Sequence, residues 1–153
     1  RTGLEEYQDM KERIEKKVAE INGKYQKDQW QPVKYFYGSV PQEELLPYYK
    51  AADLALITAS IDGMNLVAKE YLAVQDSGVL LLSEFAGAAE YLESAVKMNP
   101  YDVEALADSI YQGLEMPEAE KKERLQQAQA DLKEYDINWW RDYFLEKWLD
   151  SYE

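Results

Sequence analysis

Residues 53–70 read Asp53-Leu54-Ala55-Leu56-Ile57-Thr58-Ala59-Ser60-Ile61-Asp62-Gly63-Met64-Asn65-Leu66-Val67-Ala68-Lys69-Glu70, and the fold follows from this stretch. Its first half, Leu54 to Ile57, is a short aliphatic run of the kind that forms a parallel strand buried on both faces. Asp62-Gly63 breaks the run. From Met64 to Gln75, Val67, Tyr71 and Val74 recur at helical spacing, with Lys69 and Glu70 on another face. The unit is strand, tight turn, helix. In an open α/β sheet, ligands bind in the crevice at the carboxyl ends of the strands, and a helix starting there offers unpaired N–H groups to an anion. A phosphate is the ligand such a turn would hold.

Outward from this unit the alternation continues. On the N-terminal side, residues 4–22 read as a charged helix with Leu4, Tyr7, Met10, Ile14, Val18 and Ile21 as its apolar stripe, stopped at Asn22-Gly23. Pro32-Val33-Lys34-Tyr35-Phe36-Tyr37 reads as a strand, and a helix opens at Pro41 with Glu43 and Glu44 at its positive end and Pro47 inside it. On the C-terminal side, Gly78 to Ser83 is a second apolar strand, Ala86 to Leu92 a short helix, and Ala95 to Met98 a weaker strand. Asp102 caps a helix through Leu114, a long polar helix follows Met116-Pro117, and Asp136 or Asn138 caps the last one. Trp139, Trp140, Tyr143, Phe144, Trp148 and Leu149 read as packing residues on that last helix. The expected architecture is α/β, a Rossmann-like parallel sheet of about four strands with flanking helices and a helical tail, forming one domain over residues 1–153.

Composition bounds the chemistry. With 30 acidic against 17 basic residues the net charge is −13, which disfavours nucleic acid and anionic membranes as partners. No apolar run approaches the length of a membrane span, so a cytoplasmic protein is expected. The absence of Cys and His removes disulfides, thiol and imidazole catalysis, and most transition-metal sites. Carboxylates, Lys, Arg, hydroxyls and backbone amides remain.

The ten residues from Asp62 to Tyr71 closely resemble the signature of trehalose-6-phosphate synthases and relatives such as glucosylglycerol-phosphate synthases. The resemblance extends to Ile21–Tyr25, Pro41–Leu45, Ala51–Asp53, Leu82–Ala89 and Asn99–Asp102. These are retaining glycosyltransferases of the GT-B fold. Two Rossmann-like domains face each other, the later one holding UDP-glucose and the earlier one much of the acceptor, glucose 6-phosphate. The resemblance implies that this chain is part of the C-terminal, donor-binding domain and that no metal or other cofactor is needed. By the same resemblance Asp62 accepts a hydrogen bond from a donor-sugar hydroxyl, and the amides of Gly63, Met64 and Asn65 line the sugar and diphosphate. Leu66 and Val67, at the helix start beside Ala68 and Lys69, offer their amides to phosphate oxygens, and Glu70 takes the ribose hydroxyls. Val40 falls at a uracil-contacting position and Arg1 at one that helps hold the acceptor phosphate.

Three departures bear on activity. Ala59-Ser60-Ile61 stands where the family commonly has Pro-Leu-Arg, and Gly38 where it often has Arg. The family's basic pair, an Arg and a Lys that stabilise the leaving UDP, lies upstream of this segment, so no residue here is assigned a catalytic role. Two alternatives to a donor-site half follow: a catalytically inactive scaffold or regulatory module, and an engineered piece that self-associates through open sheet edges. Partners are then the nucleotide sugar and an N-terminal domain or companion chain.

Overall fold

The computed structural model describes residues 3–151 and divides into two compact units, one ending at Val40 and one starting at Pro41. In chain order the elements are α1 (Gly3–Tyr25), α2 (Gln42–Ala51), β1 (Leu54–Ile57), α3 (Leu66–Val74), β2 (Val79–Ser83), β3 (Val96–Met98), α4 (Val103–Glu115), α5 (Glu118–Glu134) and α6 (Ile137–Asp150). A single 3₁₀ turn, Gly87–Glu90, stands where the sequence predicts a short helix.

The sheet is parallel, ordered β1-β2-β3, with Leu54 opposite Val79 and Leu81 opposite Val96. All five side chains of β2 are buried, as a central strand covered on both faces requires. The two faces can be read from the alternation of its residues. Leu80 and Leu82 join Ala68, Tyr71 and Leu72 of α3 and Leu125 and Ala128 of α5 in the main core. Val79 and Leu81, with Leu54, face α4, where Gly113 sits so close that a Cβ would lie 2.7 Å from Leu54 Cδ1.

The sheet has three strands among the described residues, not four. Residues 32–37 form no strand. Their alternation is local, whereas a strand needs a neighbour to share its ladder. Val33 instead spends both backbone groups on one side chain: its N–H donates to Asn22 Oδ1 at 3.0 Å and its carbonyl accepts from Asn22 Nδ2 at 2.9 Å. Asn22-Gly23 does not stop α1, which runs on to Tyr25, neither residue taking the left-handed conformation of a helix stop. The apolar stripe of α1 is largely open to solvent, with Tyr7 74% and Met10 54% exposed.

The last helix departs from expectation in the same sense. Asp136 caps it, Oδ1 accepting from the amides of Asn138 at 2.8 Å and Trp139 at 2.9 Å. Yet no residue of α6 is buried. Trp139 packs on Tyr91 and Tyr135, while Trp140 and Phe144 stack on one another and remain exposed. Aromatic density on a helix specifies a surface to be covered and supplies no covering layer.

Candidate functional site

The strand-to-helix turn takes its shape from Asp62. Its Oδ1 accepts from the Met64 amide at 3.0 Å and its Oδ2 from Asn65 Nδ2 at 2.9 Å. Asn65 lies in the left-handed region at φ 72°, which Asn tolerates better than most residues, and its Oδ1 accepts from Ala68 N at 2.9 Å. Asn65 is thus the N-cap, and the helix starts at Leu66 rather than at Met64 as the periodicity predicts. The hydrogen bond from the Met64 amide, then that from the Asn65 side chain, holds the Asp62 carboxyl below its ordinary 3.8.

A second segment clamps this turn from below. Asp62 bridges Ala86 in parallel; the Gly87 amide donates to Asp62 O at 2.9 Å, and the Ala88 amide to Met64 O at 2.9 Å. At Gly87 a Cβ would lie 2.2 Å from the Gly63 carbonyl oxygen, so only glycine fits. Ser83, wholly buried at the end of β2, donates from its hydroxyl to Ala59 O at 2.6 Å and accepts from the Phe85 amide at 3.2 Å. The loop carrying Asp62 is therefore fixed to the neighbouring strand's exit.

The start of α3 remains open. The Met64 amide is spent on Asp62 and that of Ala68 on Asn65. The first-turn amides of Leu66 and Val67 have no helical acceptor by geometry, and their residues are 62% and 46% exposed. Two donors at the positive end of α3 are what an anion needs. The Ala68 side chain belongs to the core, and Val67, expected on the apolar stripe, faces outward while Tyr71 and Leu72 are buried.

Glu70 and Lys69 follow one turn on. The Tyr49 hydroxyl approaches Glu70 Oε2 at 3.5 Å. Lys69 is half-buried, and burial lowers the pKa of its ammonium. A groove of about 380 Å³ runs along this face between Leu66, Lys69 and Glu70 on one side and Ile137 and Trp140 on the other. A larger hollow, about 920 Å³ beside Ser94 and Arg124, contains none of these residues.

Of the residues singled out by sequence, positions 62–70 come together as one continuous turn and helix start. Val40 lies half-buried in the unit that ends with it, and Arg1 lies outside the described residues. Ile61, where the family commonly carries Arg, is 89% exposed. Three residues that hold the site escaped the sequence reading. Gly87 and Ser83 lie inside the family-like Leu82–Ala89 segment, which was their signal. Gln75 gave none, though its side chain ties α2 to α3 by donating to the carbonyls of Tyr49 and Ala52. Among the described residues, no cluster of three or more His, Cys, Asp or Glu could hold a metal ion, and no helix is long and apolar enough to cross a membrane.

The family model for glycosyltransferase family 20 matches residues 1–149. The chain belongs to glycosyltransferase family 20. Among the family's curated proteins, the chain is 40% identical over 144 residues to a glucosylglycerol-phosphate synthase of Picosynechococcus, covering 93% of this chain and 29% of that protein. It is 43% identical to the UDP-forming alpha,alpha-trehalose-phosphate synthase A of Dictyostelium discoideum, covering 92% of this chain and 19% of that one. Among solved structures, the trehalose 6-phosphate synthase of Burkholderia multivorans superposes with a TM-score of 0.89 at 39% identity, over 96% of this chain and 32% of that one. The E. coli enzyme bound with UDP-2-fluoro glucose gives 0.86 at 40%, over 92% of this chain and 32% of that one. The α/β fold expected from the resemblance is the fold of these enzymes. The sequence thus spans about a third or less of the relatives it matches.

Proposed function

We propose that the turn and helix start at 62–70 form the donor site of a retaining UDP-glucose-dependent glycosyltransferase, and that the chain is the nucleotide-sugar-binding half of its C-terminal domain. The observation that carries this reading is the pair of first-turn amides at Leu66 and Val67, on exposed residues and without a helical acceptor, in a turn whose Met64 amide goes to Asp62 and whose Ala68 amide goes to Asn65. They would take diphosphate oxygens, Glu70 the ribose hydroxyls, and Gly63 would let the backbone approach the sugar. Asp62 spends one lone pair of each oxygen inside the turn, and a carboxylate has about four acceptor sites, so capacity remains for a sugar hydroxyl. Val40 would meet the uracil edge and Arg1 the acceptor phosphate. In the whole protein, acting in the cytoplasm, the reaction would be transfer of glucose from UDP-glucose to glucose 6-phosphate, as in trehalose biosynthesis, with no metal or other cofactor.

Glycosyl transfer puts negative charge on the departing diphosphate, and fixed donors aimed at developing charge usually supply the largest catalytic term. Here the start of α3 is the donor set. The same residues would bind the donor without turning it over: mixing the chain with UDP-glucose and glucose 6-phosphate is expected to give binding heat but no UDP. Release of UDP above the uncatalysed rate would contradict this. Among the described residues no strand pairs with the outer edge of β1, and a further strand there would come from the rest of the polypeptide, a companion chain or a second copy.

Ile61→Arg tests the electrostatics directly. The position is almost fully exposed, so the new side chain costs no burial and adds one cation beside the diphosphate. The expected gain in UDP affinity is modest, about two- to fivefold and smaller at high salt, because exposed ion pairs are weak. Titration at low and high salt checks it; an unchanged affinity at low salt would contradict a diphosphate at this turn.

A further inference from the structure

The one described hydrogen-bond partner of the Glu70 carboxylate is a neutral phenol. The Tyr49 hydroxyl donates toward Oε2 at 3.5 Å, and among the described residues no Lys or Arg forms an ion pair with Glu70. The end of α2 that carries Tyr49 is firmly placed. Gln75, 5% exposed, donates its side-chain amide to the carbonyls of Tyr49 and Ala52, and the Tyr71 hydroxyl donates to Ala52 O at 3.2 Å. The Tyr49 ring meets that of Tyr71 edge-on, centroids 6.3 Å apart at 86°. Tyr49 therefore reaches Glu70 from a fixed base, whereas the glutamate is a long side chain with several rotamers.

We propose that Tyr49 is a positioning residue for Glu70, holding its carboxylate in the orientation that accepts the ribose hydroxyls of the nucleotide; this rests on the donor-site reading given above. The chemistry favours a phenol for the task. It is a donor that carries no charge, so it fixes one carboxylate oxygen without neutralising the group, and Oε1 and the remaining lone pairs of Oε2 stay open to ligand. A lysine in the same place would compete with the ribose for the carboxylate. A phenol holds its proton at neutral pH, and burial, with the Glu70 charge next to it, pushes the Tyr49 pKa further up. The gain to the nucleotide is rotamer freedom already lost before binding.

The test is calorimetric titration of the 153-residue chain, of Tyr49→Phe and of Glu70→Ala, with UDP and with 2′,3′-dideoxy-UDP, which lacks both ribose hydroxyls. Tyr49→Phe keeps the ring and its contact with Tyr71. It is expected to lose roughly two- to tenfold in UDP affinity, the range of one hydrogen bond, while binding the dideoxy nucleotide as the parent does. A merely structural role for Tyr49 would move both ligands alike, so an equal loss on both overturns the proposal, as does no loss on UDP while Glu70→Ala weakens it. Unchanged UDP affinity in Glu70→Ala is the separate failure. It would remove Glu70 from the nucleotide site and overturn the donor-site reading of that residue, and the proposal with it.

Discussion

Gly87→Val is expected to destabilise the chain by about 3 kcal/mol, at the upper end of overpacking costs, and to abolish any nucleotide binding. The reason lies in the Gly63 carbonyl. A Cβ at position 87 would stand 2.2 Å from its oxygen and 2.9 Å from its carbon, and both are backbone atoms that cannot swing aside. The Gly87 amide meanwhile donates to Asp62 O, and the next amide, that of Ala88, to Met64 O. Valine must either break these bonds or push the turn away from β2. A urea titration reads the cost as a lower midpoint at unchanged slope. A midpoint equal to the parent's would mean that the turn and the 86–88 segment are not held together as described.

Asp62→Ala is the second large effect, and it falls on binding. The substitution removes the acceptor for the Met64 amide and for Asn65 Nδ2 together. Asn65 then keeps its left-handed backbone with only the Ala68 amide to hold it. The freed Met64 amide points to where the carboxylate was, and the helix start loses its fixed geometry. UDP affinity is expected to fall about tenfold or more, beyond the loss of one hydrogen bond, since preorganisation of two amides goes with it. Acid offers the same test without mutation. The folded Asp62 carboxyl titrates below its ordinary 3.8, so its contribution is fully present above that pH and is lost as pH falls through the lowered value. The Met64 amide resonance, followed by NMR through the acid range, should shift at that lower pH; a shift centred at or above 3.8 would contradict the hydrogen bonding assigned to Asp62.

What could be read from the sequence was whatever depended on local pattern. Leu80, Leu81 and Leu82 form an uninterrupted apolar run, and a strand buried on both faces is what that run becomes. Asp102 and Asp136 signalled their helices by the ordinary chemistry of a short acceptor ahead of a periodic segment. The turn at Asp62-Gly63 was legible as a break, and the family resemblance gave it a ligand. Met64 fits the helical period, and period alone starts the helix two residues early, ahead of the cap that the Asn65 side chain forms on Ala68.

The rest depended on neighbours. Val33 to Tyr37 has strand composition and forms no strand, because the ladder it needs is absent and Asn22 satisfies Val33 instead. Trp140 and Phe144 look like core and are exposed. Gly87, Ser83 and Gln75 hold the site through contacts that cross from one element to another, and no spacing rule announces such contacts.

A nucleotide diphosphate at this turn would be received by the first-turn amides of Leu66 and Val67. Amide-resolved NMR of the chain during titration with UDP addresses it most directly. Saturating shifts are expected, largest at Leu66 and Val67 and accompanied by Glu70, even at roughly millimolar affinity, about −4 kcal/mol. Saturable binding with those amides unmoved, or no binding at all, would contradict it.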